Sequence, residues 1–120
     1  MKKKHCLEFE RKCRDYILEN ISGCHVVRVA GSGQQNEAVS DLILLTKISK
    51  YLIEVKSTKE KKFCFCGQQR IKLIETSKKI NAVPVLAVRF KRRTWVFSNL
   101  LIAETQTVRP NTKCYIGDIE

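Results

Sequence analysis

The sequence predicts an α/β domain, a central mixed sheet with a helix on each side or end. Three observations lead there. Residues 4 to about 21 carry apolar side chains at helical spacing. The middle of the chain holds two short apolar runs split by a polar break. A second helical stretch, from about Gln68 to Ile80, is followed by two more runs of strand length. At 120 residues the chain predicts one domain, able to bury about two-thirds of its unfolded surface. No internal repeat, low-complexity segment or linker divides it.

In the first helix Cys6, Cys13, Ile17 and Ile21 form one apolar stripe, and Gly23 supplies the C-terminal cap. Glu10 falls four residues after Cys6 and three before Cys13, so it lies on that inward stripe. It either pairs with a core-facing arginine such as Arg28 or serves a site in the sheet. Cys24 to Ala30 reads as the first strand. Gly31 to Ser40 is a polar loop, long for a hairpin, that suits either a DNA-contacting flap or a solvated connector. Its Gly31-Ser32-Gly33 lacks the following lysine and helix of a phosphate-cradling nucleotide loop.

Asp41 opens the next run, Leu42 to Leu45, and Thr46 to Lys50 forms a turn into Tyr51 to Lys56. Alternation along this strand puts Glu54 and Lys56 on one face, roughly 7 Å apart at about 3.3 Å per residue. Tyr51, Ile53 and Val55 point the other way. Charge in a strand that otherwise reads as buried is costly unless it is paired or holds a metal. One explanation is a strand-end salt bridge. The other is a nuclease site in which Asp41 and Glu54 hold Mg²⁺ through hard oxygen ligands and Lys56 assists the attacking water. Glu-x-Lys also occurs at Glu10 to Lys12 and Glu60 to Lys62, so context separates Glu54: only there does the triplet lie in an apolar strand preceded by an acid-opened one.

The basic loop Ser57 to Lys62 leads to a short strand, Phe63 to Cys66, and Gly67 turns into the second helix, whose packing face is Ile71, Leu73, Ile74, Ser77 and Ile80. Pro84 to Phe90 and Thr94 to Phe97 are strands joined by the basic turn Lys91-Arg92-Arg93. Pro84 fits a strand's first position, where its missing donor does least harm. Trp95 and Phe97 share a face suited to the core or a dimer interface. The tail to Glu120 gives no clear element.

The 23 Lys and Arg against 12 Asp and Glu leave a formal charge of +11, which points to nucleic acid as partner. The basic residues cluster at Lys2 to Lys4, Lys59 to Lys62, Lys78-Lys79 and Lys91 to Arg93. The longest apolar run is far below the roughly 20 residues of a membrane span. No apolar signal core follows Met1 to Lys4, so the expectation is an intracellular protein. Six cysteines without a CxxC pair, beside two histidines, argue against structural zinc. They are expected to be reduced thiols that serve as small buried hydrophobes.

Glu10-Arg11, Val26-Val27-Arg28 with Gly31-Ser32-Gly33, Asp41-Leu42, Ile53-Glu54-Val55-Lys56-Ser57-Thr58, and Pro84-Val85-Leu86-Ala87-Val88-Arg89-Phe90 with Trp95 recur in that order over residues 4 to 98. In this the chain resembles the archaeal Holliday junction resolvases. The resemblance implies a restriction-endonuclease-like fold, a homodimer, and cutting of four-way junction DNA with Mg²⁺, for which Mn²⁺ can substitute. It implies no small-molecule cofactor, no membrane, and residence with the nucleoid. By position Glu10, Asp41, Glu54 and Lys56 match catalytic residues, with Glu10, Asp41, Glu54 and Val55 as the metal-binding set. Arg11, Arg28 and Ser32 match residues of activity or DNA contact. Lys61, Lys62, Gln69, Arg92 and Arg93 are further expected DNA contacts. Two departures stand out: Cys6 replaces a glycine near the N-terminus, and Asn81-Ala82 replaces a glycine-rich turn. From Ser98 onward the resemblance fades. Two alternatives are a different restriction-like nuclease acting on duplex or flap DNA, and a basic nucleic-acid-binding protein without catalysis.

Overall fold

The computed structural model describes residues 4–29, 40–91, 95–102 and 106–111, with residues 4–6 as backbone only. Among the described residues, two helices and seven strands follow in order: α1 (Lys4–Asn20), β1 (His25–Arg28), β2 (Leu42–Leu45), β3 (Lys50–Thr58), β4 (Phe63–Cys64), α2 (Gln68–Lys79), β5 (Val83–Phe90), β6 (Trp95–Asn99) and β7 (Thr107–Val108). Five strands form one mixed sheet in the order β1-β2-β3-β5-β6, and β4 pairs with β7 in a small separate ribbon. Only β3 and β5 run parallel, in register Tyr51↔Val83 to Thr58↔Phe90. Parallel neighbours need a long crossover, here the segment that carries α2.

The sheet separates two cores. On one face α1 brings Cys13, Ile17 and Ile21 against Leu42, Leu44, Tyr51, Ile53, Val55, Val85, Ala87, Trp95 and Phe97. On the other, α2 brings Leu73 against Leu52, Leu86, Val88, Phe90 and Val96, joined by Phe65, Ala82, Leu100 and Val108. Alternate residues of β3 and β5 therefore serve opposite cores, which is why β5 reads as one continuous apolar run. Trp95 and Phe97 are core residues; Phe97 stacks on Tyr16 of α1 with ring centroids 5.8 Å apart.

Local chemistry sets the ends of the elements. Gly23, φ 69°, closes α1 as expected. The β2–β3 turn is held by Thr46, whose Oγ1 accepts from the N–H groups of Ser49 (3.0 Å) and Ile48 (3.4 Å). Where the family resemblance has a glycine-rich turn, Asn81 takes φ 59°, a left-handed conformation asparagine tolerates better than most residues. The departure in sequence thus keeps the turn.

Several boundaries differ from expectation. β1 is four residues rather than seven, because it pairs only with β2 as an edge strand. β3 extends to Thr58, since β5 pairs along its whole length. β5 starts at Val83, with Pro84 one position in; Pro84 is buried and its carbonyl accepts from Leu100 N. On α2, Ile71 and Ile80 are 46% and 43% exposed, and the buried line runs through Leu73 and Ser77. β4 is limited to Phe63–Cys64, and Phe63 and the following Phe65 turn toward the second core, while Cys64 and Cys66 are exposed rather than buried; Cys13 alone is a fully buried thiol among the described residues. The loop 31–39 lies outside the described residues, as do the side chain of Cys6 and Cys114.

Candidate active site

The site forms where β2 stops and β3 continues. Asp41 precedes β2, and continuing the Leu42↔Ile53 register by one residue sets it opposite Glu54. Its N–H donates to Ile53 O at 2.9 Å, and its Oδ2 accepts from the N–H of Val55 at 2.9 Å. The carboxylate thus takes the place of the next ladder carbonyl, in a charge-assisted bond that fixes its orientation. At 7% exposure this is a buried acid. A strand residue's N–H and C=O leave on the same side, so the Val55 carbonyl also turns to the Asp41 edge.

Glu54 and Lys56 occupy the opposite parity to Val55. They form an ion pair, Nζ to Oε2 at 3.3 Å, with side chains 13% and 28% exposed. The expected strand-end salt bridge is therefore present, and what distinguishes the place is Asp41 pinned against the same strand. Asp41, Glu54, Val55 and Lys56 come together where β2 begins alongside β3.

Glu10 arrives from the other side. It projects from α1 into the first core, 3% exposed, with Oε1 3.9 Å from Arg28 Nε. This is the Glu10–Arg28 pairing that the helix stripe suggested. Arg28 Nε is buried and makes no hydrogen bond. Cys13 lies within the field of both Asp41 and Glu10. Burial first, then the charges of Asp41 and Glu10, push its thiol far above the ordinary range. Among the described residues, no group of three or more His, Cys, Asp or Glu side chains is placed to hold a metal ion.

Of the expected DNA contacts, Arg11, Lys61, Lys62 and Gln69 are exposed, and Arg28 is partly exposed at the Glu10 pair. Lys61 and Lys62 lie in the loop beyond the Lys56 end of β3, and Gln69 lies in the first turn of α2. Ser32, Arg92 and Arg93 lie outside the described residues. Sequence reasoning passes over Arg89. It pairs in register with Ser57, one residue past Lys56, and its guanidinium sits 5.9 Å from the Trp95 ring centroid. The signal was available: a single charge inside the apolar run Val83 to Phe90, the same reasoning that singled out Glu54 and Lys56.

No curated protein matches this chain. Among solved structures it is similar to Archaeoglobus fulgidus Hjc, a Holliday junction resolvase from an archaeal hyperthermophile. The TM-score is 0.73 at 22% identity, over 85% of this chain and 85% of that one. That likeness shows the restriction-endonuclease-like fold. Residues 1–116 match the family described as "Hjc: Archaeal holliday junction resolvase (hjc)", which carries the resemblance well past Ser98. The chain accordingly belongs to the archaeal Holliday junction resolvase family.

Proposed function

We propose that this protein, as a single domain, is a metal-dependent endonuclease that resolves four-way DNA junctions by paired, symmetric nicks during recombination and repair. Family membership supports the resolvase activity. The observation that carries the chemistry is the Asp41 carboxylate held on Val55 N beside the Glu54–Lys56 pair.

The donor set fits a hard divalent cation: two carboxylates and a backbone carbonyl, all oxygen, at one strand end. Asp41, Glu54 and the Val55 carbonyl would hold Mg²⁺ or Mn²⁺, with Glu10 reaching it through water. When bound, the ion supplies Lewis-acid polarisation of a phosphate oxygen. Lys56 offers three N–H donors beside the scissile phosphate. Glu54 holds that ammonium in place, so its charge is already oriented where negative charge develops on the phosphoryl oxygens. Arg28, kept at the site by Glu10, and Arg89, kept over Trp95, add fixed cations for the backbone on either side.

The exposed Lys61, Lys62, Arg11 and Gln69, with Ser32, Arg92 and Arg93, are proposed to follow the phosphate backbone of the junction arms. The +11 charge suits this sequence-independent grip. A homodimer would set two such sites on one junction. Leu101 and Ile102, 47% and 61% exposed just past edge strand β6, offer apolar surface for a second copy. No helix among the described residues is long and apolar enough to cross a membrane, and work on chromosomal DNA places the protein inside the cell.

The test is nicking of a synthetic four-way junction with Mg²⁺ and with chelator. Cutting in Mg²⁺ that chelator abolishes is the expected result. Binding without cutting under every divalent ion would leave only a non-catalytic DNA-binding protein, and equal cutting in chelator would remove the metal.

A further inference from the structure

Strand β3 outruns its neighbour β2. The two pair only as far as Leu42↔Ile53, whereas β5 follows β3 to Thr58↔Phe90. Past Ile53 the β2 side of the strand is met by Asp41, whose N–H donates to Ile53 O and whose Oδ2 accepts from Val55 N–H, both at 2.9 Å. Backbone groups leave a strand by alternate edges, so the N–H and C=O of Ser57 emerge on the same edge as those of Val55. Thr58 shows the alternation: its carbonyl leaves by the other edge and accepts from Lys91 N–H at 3.2 Å. Among the described residues no strand pairs with Ser57 on the Asp41 edge. The Ser57 side chain is exposed and shares a sheet face with Val55 and with Arg89, its partner in register on β5. Serine here offers two donors, N–H on the edge and the hydroxyl beside it, roughly 7 Å along the strand from the N–H that holds Asp41.

We propose that Ser57 is a phosphate-contact residue, whose N–H and hydroxyl hold a non-bridging oxygen of the phosphate next to the scissile one on the strand being cut. This rests on the nuclease reading of Asp41, Glu54 and Lys56 and gives that site a second anchor. An N–H fixed in a strand is already oriented, so donating to an anion requires no further ordering. A phosphate oxygen only accepts and carries charge, which suits paired donors better than a neutral carbonyl does. The surroundings favour an anion over an added β-strand, since Lys56 precedes Ser57 and Arg89 lies across from it. Two anchors also set a direction. With the scissile phosphate at Asp41 and Lys56 and its neighbour on Ser57, the DNA strand runs along β3 toward the basic loop Lys59 to Lys62 rather than across the sheet.

The experiment uses the full chain and four-way junctions in which a methylphosphonate, neutral and short of one phosphate oxygen, replaces in turn each of the two phosphates flanking the mapped nick. Affinity is read by gel shift in Ca²⁺. The native protein is expected to bind one of the two modified junctions about tenfold or more weaker than the unmodified one. Ser57→Pro removes both donors at an edge position where proline is tolerated, so thermal unfolding should be unchanged. It is expected to bind the unmodified junction weaker by a similar factor, and to tell the modified and unmodified junctions apart by less than about threefold. Ser57→Ala, which keeps the N–H, should fall between the two. A proline variant as sensitive as the native chain to the same methylphosphonate would overturn the contact, as would a native chain indifferent to both. A proline variant that does not fold would place that N–H within the fold and overturn the open edge. A native chain that neither binds nor cuts any junction would instead remove the nuclease reading itself.

Discussion

Replacing Asp41 by asparagine separates the catalytic from the structural reading of the strand-end charges. Asparagine keeps the shape and an acceptor oxygen, so the 2.9 Å bond from Val55 N–H can persist as a neutral rather than charge-assisted one. That change costs about 1 kcal/mol. Asp41 is 7% exposed, so losing a buried charge offsets part of the cost. The net effect on folding should stay under about 2 kcal/mol. The carboxylate's part in holding the divalent ion is worth more. A loss of about 3–5 kcal/mol of transition-state stabilisation at about 1.36 kcal/mol per decade gives a rate lower by roughly 10²–10⁴. The assay is single-turnover cleavage of a labelled four-way junction in Mg²⁺, alongside urea unfolding and gel-shift affinity in Ca²⁺, which should support binding but little cutting. A variant that cuts within threefold of native would refute the reasoning. One that unfolds by several kcal/mol while junction binding collapses would make Asp41 structural.

Lys56→Ala should lower the cleavage rate by roughly 10²-fold or more with junction affinity within about threefold, because its charge matters where the transition state forms; a larger loss in affinity than in rate would reverse that role. Lys61→Ala and Lys62→Ala should weaken binding and lower the salt slope by about 0.9 per lost phosphate contact, read from affinity against salt concentration, with saturated turnover little changed. Glu10→Gln removes the partner of Arg28, whose Nε is buried without a hydrogen bond. Because Arg28 keeps 28% side-chain exposure, the stability cost in urea should be about 1–3 kcal/mol rather than the full price of a buried pair. Native stability on either side of Glu10→Gln would mean the ion pair contributes nothing to the fold.

The parts of this fold that repeat themselves along the chain were legible in sequence. The Cys13–Ile17–Ile21 stripe marked α1, alternation marked β3, and a continuous apolar run marked β5, because each pattern is the direct trace of burial on one or two faces. The two-residue β7 left no such trace, since its pairing with β4 depends on residues more than forty positions away. On α2, Leu73 and Ser77 are buried as the sequence implied, while Ile71 and Ile80, counted inward for their hydrophobicity, are 46% and 43% exposed. The exposure of Cys64 and Cys66 was hidden for a related reason: the flanking phenylalanines take the inward positions. At the site, Glu54 and Lys56 stood out as charges in an apolar strand. The bond that organises them, Asp41 to Val55, joins residues fourteen apart and exists only once β2 and β3 are in register. Glu10 and Arg28 needed the helix laid across the sheet.

The central claim is a paired site matched to a four-way junction, and the most direct test labels each strand of a synthetic junction in turn and challenges cleavage with excess linear duplex. A single basic site would read local backbone alone and treat a duplex arm and a junction nearly alike. Two sites fixed by a twofold axis are both filled only when two strands approach with the right separation and polarity. The second then binds at high effective concentration. The account predicts nicks of the same polarity, placed symmetrically on opposing strands, that persist under duplex competition. Equal cutting of duplex and junction, or nicks scattered without twofold symmetry, would contradict it.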